Sequence, residues 1–112
     1  MKRGEIWTVS GADYAGKPRP AVVVQDDSFA ATSSVTLCPL TTNPADASLI
    51  RLKVEPTDEN GLQQPSRLMV DKITTIPRAS VGRLIGRLAD DEMTKLSHAI
   101  IVFLGLAGVE RR

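Results

Sequence analysis

The segment Lys17-Pro18-Arg19-Pro20-Ala21-Val22-Val23-Val24-Gln25 sets a single arginine between two prolines, at the mouth of an apolar run. Proline fixes its own φ and biases the residue before it toward extended backbone. Arg19 is therefore expected on a stiff, extended stem where a strand begins. A guanidinium held that way suits an anion such as a phosphate, which it can grip through paired N–H donors. The plainer alternative is a solvated charge that merely ends a loop, since most arginines lie at the surface.

Other routes to chemistry are sparse. His98 is the only histidine. It falls beside Lys95 and off the apolar stripe of its helix, as a solvated surface residue would, and no pair of imidazoles exists for acid–base work. Metal cages need Cys and His at short spacings or clustered carboxylates. The acidic runs Asp26-Asp27 and Asp90-Asp91-Glu92 read instead as turn and helix-start chemistry. Phosphate-binding loop, dinucleotide fingerprint and nucleophile-elbow patterns are missing. An enzyme built from these residues would work without metal or cofactor, through arginine electrostatics helped by hydroxyl and amide hydrogen bonds. The lone Cys38 allows no internal disulfide and fits a small buried thiol.

These residues must be positioned by a chain of 112 residues, the size of one domain spanning 1–112. The apolar fraction is 42% and the charged fraction 24%, which suits an ordinary globular protein. The net charge of +1 neither predicts nor excludes a nucleic-acid partner. Its distribution is uneven. Arg67, Lys72, Arg78, Arg83 and Arg87 share their stretch with one acid, Asp71, whereas residues 26–59 hold mostly acids, so a basic face beside an acidic one is expected. The chain starts on a strand pattern with no leader-like segment, and no apolar run approaches the ~20 residues of a membrane span. A cytoplasmic setting is the expectation.

Most of the pattern is β. Strands are expected at Glu5–Val9, Pro20–Asp26, Val35–Leu40, Ser48–Glu55, Arg67–Val70 and Val81–Leu88. The second reads as buried on both faces. In the fourth, Ile50, Leu52 and Val54 face one way and Arg51 and Lys53 the other. Gly11–Pro18 reads as a mobile loop, Asp27–Ser34 as a connection with one helical turn, and Thr41–Pro44 and Glu55–Gly61 as turns. One helix follows, with Asp90 to Glu92 supplying cap and acidic first turn, and Met93, Leu96, Ser97, Ile100 and Leu104 on a helical stripe. Ala99, Val102, Phe103 and Leu106 make its end apolar on more than one side, so that end is either deeply buried or packed on another subunit.

Taken in order, Arg3-Gly4-Glu5-Ile6-Trp7, Lys17 to Asp26, Cys38-Pro39-Leu40-Thr41-Thr42-Asn43, Leu68-Met69-Val70-Asp71-Lys72-Ile73 and Ile85-Gly86-Arg87-Leu88 form a pattern that resembles the MazF/PemK/Kid toxins of bacterial toxin–antitoxin pairs. The resemblance runs from about Arg3 to Leu106. It implies a mainly β (α+β) fold: a small, twisted, SH3-like β-barrel with a C-terminal helix, CcdB/PemK-like, assembled as a homodimer. It implies a sequence-specific, metal-independent endoribonuclease without cofactor, which cuts single-stranded RNA through attack by the RNA's own 2′-hydroxyl. Arg19 matches the arginine of the family's R-P-A-V-V motif and Thr41 the threonine after its third strand, with Thr42 next in register. Lys17, Thr42, Asn43, Asp71 and Lys72 are the candidate substrate contacts. Many members carry Asp-Gln where this chain has Asp71-Lys72, and an Asp with a later Arg where it has Pro77-Arg78-Ala79-Ser80; both differences bear on RNA preference. The resemblance also implies a cognate antitoxin, for which an acidic, disordered segment is the expected form. Trp7 fits a core or interface residue or a base-stacking platform. A non-catalytic toxin that binds DNA gyrase shares the expected barrel and is the alternative, although it has no need of Arg19 and Thr41. An SH3-like peptide binder is poorly served by four aromatics in the whole chain.

Overall fold

The computed structural model describes residues 1–10, 17–43 and 50–108. Seven strands and one long helix follow in the order β1 (Glu5–Val9), β2 (Arg19–Val23), β3 (Ser34–Thr41), β4 (Arg51–Val54), β5 (Ser66–Met69), β6 (Thr74–Pro77), β7 (Val81–Arg87) and α1 (Asp90–Phe103). Short 3-10 turns at Asp27–Phe29, Val70–Lys72 and Arg78–Ser80 link them. All pairings are antiparallel, along the path β4-β5-β3-β2-β1-β7, with β6 on β3.

β3 is the pivot. Its first half, Ser34–Leu37, pairs with β6, and its last residues, Leu40 and Thr41, pair with β5. Two partners on one edge split the strand between two sheet segments that curl around the core. The expected mainly β fold with a C-terminal helix is present, but the hydrogen-bonded ring stays open, with β4 and β7 as its free ends. The turn after β4 bridges them: the Arg87 amide donates to the Glu59 carbonyl at 3.0 Å. Asn60 is buried and ties this turn together, its Oδ1 accepting the Thr57 and Leu62 amides and its Nδ2 donating to the Glu55 carbonyl. A Cβ at Gly86 would stand 2.4 Å from the Asn60 carbonyl, so only glycine lets the turn sit against β7.

Alternation in β2 and β3 feeds two apolar clusters. Ile6, Val22, Cys38, Leu40, Leu68 and Leu88 pack with Leu96 of α1 in one. Val9, Ala21, Val23, Val35 and Leu37 form the other, flanked by Trp7, Ile76 and Val81. Burial of β2 on both faces is thus as expected. Trp7 packs against this second cluster, with its Nε1 donating to Glu5 Oε1 at 3.1 Å.

Several boundaries differ from expectation. β2 begins at Arg19 and ends at Val23, and Asp26, its backbone still extended, caps the following 3-10 turn by accepting the Ser28 amide. Val70 belongs to a 3-10 turn instead of β5. β4 is described from Arg51, and residues 48 and 49 lie outside the described residues, as does most of the Gly11–Pro18 loop. The short β6, unforeseen, pairs with β3 residues 37 to 43 positions earlier; Thr74-Thr75-Ile76 carry its β-branched signal. The helix cap is Ala89, one residue early, and Glu92 reaches back to accept its amide at 3.3 Å. Asp90 is therefore the first helical residue, where its charge still complements the dipole. The end of α1 is not buried: Ile101, Val102, Phe103, Leu104 and Leu106 are all exposed.

Candidate functional site at the β2–β3–β5 edge

Arg19 opens β2 and is exposed, as the flanking prolines predict. Thr41 closes β3. The two strands pair at Ala21↔Pro39, and continuing that register two residues outward sets Arg19 opposite Thr41. Both line one open cavity of about 540 Å³, with Pro39, Leu40, Met69, Lys72, Ile73 and Thr74. Arg19 makes no hydrogen bond or ion pair among the described residues, so its guanidinium is available to an incoming anion. Lys72 adds a second exposed cation at the same rim.

Thr41 is locally oriented. Its hydroxyl oxygen accepts the Asn43 amide at 3.2 Å, in a turn typical of a hydroxyl side chain. Accepting there leaves the hydroxyl proton free to donate into the cavity. Asn43 thus supports the site through its backbone. Thr42, one residue on, is exposed and lines a neighbouring pocket of about 240 Å³ with Lys53, Gln64, Pro65, Ser66 and Arg67. Lys17 is exposed before β2 and does not line the cavity.

Asp71 differs from the other candidates. Arg51 holds it in a two-pronged ion pair, Nε to Oδ1 at 2.8 Å and Nη2 to Oδ2 at 3.0 Å. These hydrogen bonds drive the Asp71 pKa below the ordinary carboxylate value, the positive charge of Lys72 adding to them. Asp71 lines a different cavity, also about 540 Å³, between the sheet and α1. A carboxylate so occupied would repel RNA if it faced the phosphates; here it pins the 3-10 turn that carries Lys72.

The expected basic face is dispersed. Arg67 and Lys72 lie by the cavity. Arg78 donates to the Thr32 and Ala30 carbonyls, Arg83 is exposed on β7, and Arg87 pairs loosely with Asp90 at 3.8 Å. Cys38 is fully buried, and loss of hydration pushes its thiol up to about 12. No group of three or more His, Cys, Asp or Glu arranged to hold a metal occurs among the described residues. His98 is exposed, as expected.

Sequence reading missed the Arg51 clamp and the closeness of Lys53 and Arg67 to Thr41. Both basic positions of β4 alternate with apolar ones and read as plain solvent-facing residues. Their neighbours, Arg67 of β5 and Asp71 of the 3-10 turn after it, are set by strand register, which no local pattern announces.

The model of the PemK-like, MazF-like toxins of type II toxin–antitoxin systems matches residues 2–104. A probable endoribonuclease MazF of Mycolicibacterium smegmatis is 50% identical over 109 residues, covering 96% of this chain and all of the relative. The solved Mycobacterium tuberculosis toxin MazF-mt6 superposes with a TM-score of 0.77 at 27% identity, over 90% of this chain and 96% of that one. An endoribonuclease from Mycobacterial species, solved with its cognate antitoxin, shares the fold with a TM-score of 0.81 at 21% identity, over 97% and 99% of the two chains.

Proposed function

The chain belongs to the PemK-like, MazF-like toxins of type II toxin–antitoxin systems, and we propose that it is an endoribonuclease whose cleavage site is the Arg19–Thr41 cavity. The carrying observation is an unpaired arginine and an oriented threonine hydroxyl on adjacent strands, lining one open cavity. Single-stranded RNA is the substrate, cut at short sequence motifs.

The 2′-hydroxyl of the RNA attacks the adjacent phosphorus. The bond from phosphorus to the 5′ oxygen breaks, leaving a cyclic phosphate on one fragment and a 5′-hydroxyl on the other. Charge builds on the phosphoryl oxygens in the transition state, and Arg19, fixed beforehand by its prolines, meets it. Thr41 holds a phosphate oxygen through a hydrogen bond donated by its hydroxyl. Its own oxygen is occupied by the Asn43 amide and has no neighbouring base, so Thr41 is neither base nor nucleophile. A guanidinium stays charged in proteins, and Arg19 therefore acts by charge stabilisation. Lys72 contributes a point charge at the rim, and Asp71, through Arg51, holds the turn behind it.

The reaction needs no metal and no cofactor. No helix among the described residues is long and apolar enough to cross a membrane, and the cytoplasm, where RNA is found, is the setting. The exposed apolar end of α1 supports a homodimer, in which a second copy covers Ile101 to Leu106; sedimentation at micromolar concentration is expected to give the dimer mass. The antitoxin occupies the cationic cavity with a disordered acidic segment that orders on binding. Binding of gyrase without catalysis would leave Arg19 and Thr41 without use, and the relatives described as endoribonucleases favour cleavage.

The test is incubation of the protein with mixed-sequence RNA in excess EDTA, followed by end mapping. Cyclic phosphate and 5′-hydroxyl ends at a recurrent motif are expected. Activity lost on chelation and restored by Mg²⁺, or no cleavage at all, refutes the proposal.

A further inference from the structure

The registers of three strands line up one row of side chains across the sheet, and Arg19 of β2 shares a cavity with its Thr41 end. Thr41 pairs with Arg67 of β5, and Arg67 pairs with Lys53 of β4. Residues directly opposite one another in antiparallel strands project to the same face. The adjoining row, Leu40, Leu68 and Leu52, packs in or against the core cluster, so the first row faces outward. The cavity at Arg19 and the pocket at Lys53 lie at its two ends, with consecutive residues Thr41 and Thr42 lining one each.

Arg67 and Lys53 are only weakly engaged. Arg67 reaches the Arg51 carbonyl at 3.4 Å, near the limit of a hydrogen bond, and Lys53 pairs with Glu55 at 3.1 Å where both side chains are more than half exposed. Exposed pairs of that kind exchange readily for a stronger anion.

We infer that Arg67 and Lys53 form a second phosphate subsite, which holds the RNA backbone next to the cleaved bond and fixes the direction in which the strand crosses the sheet. The inference rests on the cleavage reading for the identity of the Arg19 end. The pocket beside them, with Gln64 and Ser66 in its lining, takes a flanking nucleotide. Arg67 and Lys53 touch no reacting atom; they are binding and positioning residues whose effect falls on substrate affinity.

The test compares the wild-type protein with Arg67→Gln/Lys53→Gln, and with Arg83→Gln/Lys95→Gln as a control of equal charge change at exposed positions away from the row. The probe is a mixed-sequence, uncleavable 2′-methoxy RNA strand, titrated at several salt concentrations. Each phosphate contact removed lowers the slope of log affinity against log salt by ~0.7. The subsite variant is expected to lose between one and two such increments while the control keeps the wild-type slope. In cleavage, its KM rises roughly three- to tenfold, as loss of charge-assisted contacts at a partly exposed site predicts. Thermal midpoints of all three proteins report folding, and the single exposed change Lys53→Glu gives the same direction with no half-buried residue altered. Equal slopes in subsite variant and wild type, or an equal drop in the control, overturns the inference. A wild-type protein that binds with the expected slopes yet cuts nothing refutes the cleavage reading and leaves the subsite standing.

Discussion

Replacing Arg19 with alanine is expected to separate catalysis from stability. The side chain is exposed at the first residue of β2 and makes no hydrogen bond or ion pair among the described residues. Its removal breaks no native interaction, and surface substitutions of that sort alter stability within about 0.5 kcal/mol. For a domain of this size that shift moves the thermal midpoint by only ~2–4 °C. The transition state loses far more. A preorganised donor aimed at developing oxyanion charge is worth about 2.7–4 kcal/mol, or roughly 10²–10³ in kcat. Arg19→Lys restores the charge but not the planar fork that grips two phosphoryl oxygens, so it recovers little of the rate. Single-turnover cleavage of an RNA carrying a mapped site, with enzyme in excess, measures the chemical step directly. Arg19→Ala cutting at the wild-type rate would refute the electrostatic mechanism. A midpoint lowered by many degrees would show instead that Arg19 has a structural role that its surroundings do not suggest.

Three further outcomes follow from the packing. Folding lowers the Asp71 pKa below its ordinary 3.8, so the native state binds fewer protons than the unfolded chain there; the stabilisation is complete above that value and is lost as pH falls through the lower folded one. Chemical denaturation of Asp71→Asn should therefore show a shallower loss of stability below about pH 4 than wild type, and an unchanged acid limb would refute the role of the Arg51 clamp. Asn60→Ala leaves the buried Leu62 amide without its partner, at about 1–3 kcal/mol, and removes the part-buried bonds to the Thr57 amide and the Glu55 carbonyl; urea unfolding should show a clearly lower midpoint, and a midpoint near wild type would rule out the turn as a clasp on β7. Cys38, its thiol pushed up to about 12, should resist iodoacetamide in the native protein and react once urea opens the core. Rapid labelling without denaturant would contradict that burial.

Local patterns in the chain determined a good deal. Alternation identified the solvent face of β4, and an unbroken apolar run the doubly buried β2, because burial of one or both faces leaves its mark in the residue types. The helix was legible from its stripe, and its over-apolar end from the excess around that stripe. Proline chemistry made Arg19 an extended, presented cation, and the order of motifs matched it with Thr41. The tertiary structure decided what those local signals do not carry. Pairing across strands joins residues far apart in the chain, and nothing in either segment specifies the register. Only the fold therefore brings Arg67 and Lys53 into line with Thr41, and Arg51 onto Asp71. β6 escaped notice because its partner residues on β3 lie 37 to 43 positions earlier and its own signal is four residues long. The split of β3 between β5 and β6 rests on which residues pair along one strand edge, which periodicity cannot register. Exposure at the end of α1 was likewise undecided by composition: an apolar surface reads the same in sequence when it meets its own core and when it waits for another molecule.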